Sequence, residues 1–176
     1  MTGDALVWPI LTGLKTCLTY WLGQATRPVC HAAVHFNGNL PPMDACDCTC
    51  PNGGHGQAWV RMVTLNAASG AQSMPQCVNG LFDLTVEVGI YRCTPVPEGQ
   101  DPLPVETIET HAAGMYCDAA VLRRAVRCCH YLDQRHIEPV ITTENAHGPM
   151  GGCVGVTLQA DLQVVDCSCD EAAMLL

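Results

Sequence analysis

Between positions 80 and 93 the chain reads GLFDLTVEVGIYRC, with Phe82, Leu84, Val86, Val88 and Ile90 on alternate positions and Asp83, Thr85, Glu87 and Tyr91 between them. Successive side chains of an extended chain point to opposite faces, so this alternation predicts a long strand with one apolar and one polar face. The same pattern returns at residues 153–165, where Val154, Val156, Leu158, Ala160, Leu162 and Val164 alternate with Gly155, Thr157, Gln159, Asp161 and Gln163. Strands of about 12 residues span roughly 40 Å, well beyond the usual length.

Other segments follow from the same kind of reading. Leu11, Leu14, Leu18, Trp21 and Leu22 recur at helical spacing, with Pro9 suited to a first turn and Gly23 to an end, so a helix is expected at about residues 9–23. Strands are expected at 27–36, with His31, Ala33 and His35 opposite Cys30, Ala32, Val34 and Phe36, and at 57–66, apolar on both faces. Residues 37–56 are rich in Gly, Pro, Asn, Asp and Cys, the composition of an irregular loop. Pro95, Pro97, Pro102 and Pro104 bar central strand pairing, and residues 94–113 read as a long link of the kind that often binds something. A second helix is expected at 118–133, capped by Asp118, burying Leu122, Ala125, Val126, Cys129 and Leu132, with Arg123, Arg124 and Arg127 outward. A short strand at 138–143 and the loop NAHGPMGG precede the final strand. The order predicts one α+β domain over residues 1–176, an antiparallel or mixed sheet with long strands packed against two α-helices.

Composition narrows the function. Of 176 residues, 48% are hydrophobic and 14% charged, against about 25% charged in an average domain, which suggests surface covered by other subunits. A net charge of −9 argues against a tight grip on nucleic acid, although an acidic wall lets a polyanion pass without sticking. The 13 cysteines are unusual. No basic, signal-like N-terminus is present, so synthesis in a reducing cytoplasm is expected, and the apolar run at 5–22 is too interrupted for a membrane span.

Candidate chemistry is sparse. Cys46, Cys48, Cys50 and His55 offer four metal ligands within ten residues, but the Cys-x-Cys-x-Cys spacing is not the usual zinc knuckle. Zinc, disulfides formed outside the cell, and unpaired loop thiols all remain open for them, and Cys167 and Cys169 are possible disulfide partners. Cys30 with His31 and Cys129 with His130 are sequence neighbours whose side chains diverge, so Cys30, Cys128 and Cys129 read as small buried hydrophobes. His31 and His35 share a face without a third ligand. Asp83 and Glu87 lie roughly 13 Å apart on one strand, too far for a glycosidase pair, and read as solvated or subunit-facing. Gly53-Gly54 and Gly151-Gly152 match no phosphate-binding fingerprint. Arg123, Arg124 and Arg127 form a basic patch that is either solvated or set against an acidic neighbour. No residue is assigned as catalytic, cofactor-binding or metal-binding, and the chain is not expected to be an enzyme.

The segments AWVRM, VEVGIYRCTPVP, AAGMYCDAAVLRRAVRCC and GGCVGVTLQADLQVV together give a chain that resembles the neck proteins of long-tailed bacteriophages, most closely the tail terminators of phages of actinobacteria. The Cys-rich stretch at 46–50 departs from that pattern. The resemblance implies a structural virion protein located in the tail neck and assembled in the host cytoplasm. Its subunits would form a hexameric ring that caps the tail tube, ends its polymerisation and meets the head-closure protein. Double-stranded DNA would pass through the channel without specific binding. On this reading the second faces of the long strands meet sibling copies or the conduit, and the 37–56 and 94–113 segments supply contacts between subunits. The alternatives are a head-closure or stopper protein of the same neck, a zinc- or thiol-dependent enzyme using Cys46, Cys48, Cys50 and His55, and a monomeric binding module.

Overall fold

Helix α1 (Val7–Gly23) buries Ile10, Leu11, Leu14, Leu18 and Leu22 along one stripe. The computed structural model describes residues 6–36, 46, 50–51, 53–68, 80–95, 97, 102–150 and 152–166. The threonines of α1 satisfy themselves locally. Hydroxyls of Thr12, Thr16 and Thr19 donate to the carbonyls of Trp8, Thr12 and Lys15 at 2.8–2.9 Å, so polar side chains sit on a helix without needing a tertiary partner.

Five strands follow, β1 (His31–His35), β2 (Gln57–Ala67), β3 (Gly80–Cys93), β4 (Val140–Met150) and β5 (Cys153–Asp166), in the sheet order β1-β2-β3-β5-β4. Only the β1–β2 pair is parallel; the others are antiparallel. The two long strands are neighbours at the centre, in unbroken register from Gly80↔Asp166 to Cys93↔Cys153. One sheet face carries Leu84, Val86, Val88, Ile90, Leu158, Ala160, Leu162 and Val164, all buried in a single core with α1 and α2 (Val105–Arg127). The α+β architecture expected from the sequence is the one the chain adopts.

Several boundaries differ from expectation, each for a local reason. Helix α2 starts at Val105, well inside the segment expected to be an irregular link, because no proline interrupts residues 105–127 and Pro104, with its extended backbone (φ −56°, ψ 143°), leads directly into a first turn holding Glu106. Asp118 is therefore not a cap but a mid-helix residue, 2% exposed. The helix stops at Arg127; Cys129 is extended (φ −80°, ψ 105°) and a one-turn helix α3 (His130–Asp133) follows. Strand β4 begins at Val140 and runs through most of the expected NAHGPMGG loop, taking Pro149 into an irregularity of an edge strand between His147 and Met150, where the missing N–H breaks no central ladder. Strand β1 is confined to His31–His35 because the preceding carbonyls of Arg27 and Pro28 are taken by Arg92. Most of the 37–56 loop lies outside the described residues.

The cysteines were expected to be mainly packing residues, and the structure corrects this. Cys17 is bonded to Cys129, Cys30 to Cys50 and Cys46 to Cys153, spanning 112, 20 and 107 residues of sequence. Cys129 is buried as expected but joins α1 to the start of α3, while Cys128 is exposed with a free thiol, as is Cys117. Cys48, Cys167 and Cys169 lie outside the described residues.

Candidate functional site

The face of the sheet turned away from the helices is the surface the sequence left without an occupant, and it divides into two halves. At the end near Cys93 and Cys153 it is covered. Trp59 and Tyr91 are fully buried, with ring centroids 4.4 Å apart, beside Cys46 and Cys153. Glycine makes this possible: a Cβ at Gly89 would overlap the Trp59 indole, and one at Gly155 the Tyr91 ring. Next along the face, Glu87 is buried and accepts from Arg61 Nε at 2.7 Å, Gln159 Nε2 at 3.1 Å and Trp59 Nε1 at 3.4 Å. The expectation that Glu87 is solvated or subunit-facing is thus wrong; its neighbours across the sheet, Arg61 and Gln159, turn it into an internal tie.

The other half of this face is open, polar at Asp83, Thr85, Asp161 and Gln163 and apolar at Leu81, Val140 and Val165, which the register sets on the same face and which are exposed. Gln163 donates to Asp83 at 3.4 Å and Thr85 to Asp161 at 2.7 Å, leaving two carboxylates and uncharged polar groups on the surface. Tyr91, at the covered end, has its phenol pushed up to about 12 by burial, with the Glu87 carboxylate adding to the effect. Its Oη has no hydrogen-bond partner among the described residues. A folded value above the unfolded value of about 10 means that Tyr91 supports the fold fully below pH ~10 and loses that contribution as pH rises towards 12. Tyr91→Phe is expected to be neutral or stabilising at neutral pH and to flatten the alkaline fall in melting temperature. An unchanged alkaline profile would remove Tyr91 as its cause.

Arg92 is the residue that sequence reading missed, although the signal was there, since it occupies the next alternate position after Ile90 in the apolar row of β3. All five of its N–H groups are used. Nε and Nη2 grip the Asp118 carboxylate at 2.9 and 2.8 Å; Nη2 also donates to the Arg27 carbonyl at 2.7 Å, and Nη1 to the Pro28 carbonyl at 3.0 Å and to that of His55. One side chain thereby joins the end of β3, the middle of α2, the α1–β1 connection and the turn before β2.

The six buried residues of α2 all lie between Asp118 and Val126, so its first half projects past the core. A cleft of about 650 Å³ opens on one side, lined by Arg27, Thr94, Glu106, Thr110 and His111 among others. Another of about 380 Å³, more apolar, lies between this helix and β4–β5, at Met115, Tyr116, His147 and Val156. Burial, then the Arg27 charge, lowers the His111 pKa, and its Nε2 has no hydrogen-bond partner among the described residues.

The candidate metal ligands do not converge. Cys46 is bonded to Cys153 and Cys50 to Cys30, while His55 is exposed and contributes its backbone to Pro28 and Arg92. His31 and His35 project from the same face of β1, and the His35 pKa is lowered by burial and by the neighbouring His31 and Arg61. Among the described residues no three His, Cys, Asp or Glu side chains are grouped to hold a metal ion, and no helix is long and apolar enough to cross a membrane. Of the basic patch, Arg123 pairs with Glu144 at 2.6 Å, and Arg124 and Arg127 are exposed. The chain matches no protein-family model and no curated protein.

Proposed function

We propose that the chain is a structural subunit of a phage neck, a tail terminator whose six-membered ring caps the tail tube and meets the head-closure protein around a DNA channel. The observation that carries this reading is a pair of unlike exposed apolar patches, one beside the β1 edge of the sheet and one at the projecting start of α2. Beside β1, which pairs only with β2 among the described residues, Trp8, Leu65 and Phe36 are exposed, Phe36 to 91%. At the start of α2, beside the cleft lined by Thr94 and Glu106, Val105 and Ile108 are exposed. Two different patches suit a head-to-tail contact, the kind that closes into a ring. On the open half of the second face the carboxylates Asp83 and Asp161 suit a wall that a polyanion passes without adhering, and the exposed Leu81, Val140 and Val165 beside them suit contact with protein. Disulfides fit a protein that works in a released particle outside the reducing cell.

The test is particle shape in negative stain, alone and mixed with the cognate tail tube protein. A six-fold annulus, alone or at the tube end, is the expected result. Monomers that neither bind the tube end nor limit tube length would overturn the reading. The enzyme alternative loses its proposed ligand set in this oxidised fold, since Cys46 and Cys50 are committed to different partners.

A further inference from the structure

The outward face of α2 carries a pattern that its own fold engages at Arg124, whose guanidinium lies 5.9 Å from the centre of the Trp21 ring, and otherwise leaves largely exposed. Opposite the buried stripe of Asp118, Leu122, Ala125 and Val126 run Glu106, Glu109, Ala113, Tyr116, Ala120, Arg124 and Arg127, at spacings of three and four, with Cys117 beside Tyr116. At 3.6 residues per turn these share one line along the helix. All but Ala120 are exposed, Tyr116 to 77%. The line is acidic at one end, basic at the other, and small or apolar between. Interaction with the helix dipole accounts for Glu106 in the first turn and for Arg124 and Arg127 in the last. It does not account for Glu109, a turn further in, or for the uncharged centre.

Glu106 and Arg127 are equally distant along the chain from the point between Tyr116 and Cys117; so are Glu109 and Arg124, and Ala113 and Ala120. We propose that α2 docks antiparallel on α2 of a second copy, about a two-fold axis through that point. Glu106 and Glu109 of each copy then face Arg127 and Arg124 of the other, the alanines let the helices approach, and Tyr116 packs across the axis. Arg123 takes no part, because Glu144 holds it. The contact is about 35 Å long and small for a stable dimer, so association on the order of tens of micromolar is expected. An isologous contact closes at two copies. It needs no ring, and its failure leaves the neck reading untouched.

Sedimentation of the full chain at low salt tests this with charge variants. E106R/E109R makes the whole line basic and R124E/R127E makes it acidic. Each alone is expected to weaken self-association by about tenfold or more, and the equimolar mixture to associate at least as tightly as the unaltered chain. Circular dichroism of each variant separates loss of association from loss of the helix. A monomeric unaltered chain at roughly 200 µM, or folded variants whose mixture does not associate, would overturn the proposal. Diamide supplies a second readout, since it takes up the two hydrogens released when two Cys117 thiols form one disulfide across the axis. Covalent dimer is expected from the unaltered chain and from Cys128→Ala, because the two Cys128 positions lie about 35 Å apart in this register. Dimer lost in Cys128→Ala but kept in Cys117→Ala would contradict it.

Discussion

Reduction of the folded protein is expected to lower its melting temperature by on the order of 10–20 °C, and among the disulfides of the described residues Cys17–Cys129 and Cys46–Cys153 are expected to contribute most. Closing a loop of about 100 residues removes unfolded-chain entropy worth roughly 4–5 kcal/mol on the chain-entropy model, against about 3 kcal/mol for a loop near 15 residues. Cys17–Cys129 and Cys46–Cys153 span 112 and 107 residues, and Cys30–Cys50 only 20. The two long loops overlap in sequence, so their effects are not additive. Total stability for a domain is about 5–15 kcal/mol, so even one such contribution is a large share. Scanning calorimetry of the oxidised and reduced protein, with thiol titration to verify reduction, measures this. Paired serine variants should rank C17S/C129S and C46S/C153S well below C30S/C50S. Equal melting temperatures for oxidised and fully reduced protein would show that the core alone holds the fold.

Asp118→Ala is expected to cost about 3–5 kcal/mol, because it leaves the Arg92 guanidinium buried with its main counter-charge gone. Arg27 approaches Asp118 as well, Nη1 to Oδ2 at 3.9 Å, but its side chain is 32% exposed and its contribution to the pair is screened. Arg92→Met should be at least as costly. It strands the Asp118 carboxylate and also deprives the carbonyls of Arg27, Pro28 and His55 of their donor. The double variant R92M/D118L should recover part of the loss but not all, since the three carbonyls still lack a partner; this distinguishes Arg92 from an ordinary buried ion pair, whose hydrophobic replacement is often neutral. Denaturant unfolding of the two single variants and the double variant gives the coupling directly. Single variants within 1 kcal/mol of the unaltered chain would mean that water reaches this site and that Arg92 is not the tie described above.

What could be read from the sequence follows the reach of the interactions involved. The expected strands at 57–66, 80–93 and 153–165 coincide with β2, β3 and β5 to within a residue, because period-two alternation of apolar side chains is set by backbone geometry alone. Helix α1 was equally legible from its leucine spacing. The start of α2 was hidden because its first half buries no residue, so the apolar stripe that marks a helix in sequence begins only near Asp118. Glu87 and Arg92 were misjudged or missed for a related reason. A charged residue in a strand looks solvated until its cross-strand partner, Arg61, or its distant one, Asp118, is brought within hydrogen-bond distance.

By itself the sequence determined the α+β class, the amphipathic faces and the central pair of long strands, since each depends on periodicity within a dozen residues. Tertiary structure alone decided which cysteines pair, that Arg92 closes on Asp118, and that the second sheet face is covered at one end and open at the other. Cys17 and Cys129 are 112 residues apart, and nothing local distinguishes them from the other thiols until α1 and α3 are packed together. A disulfide or a buried ion pair depends on distances of a few ångströms between remote segments, and such distances exist only once the core has placed those segments side by side.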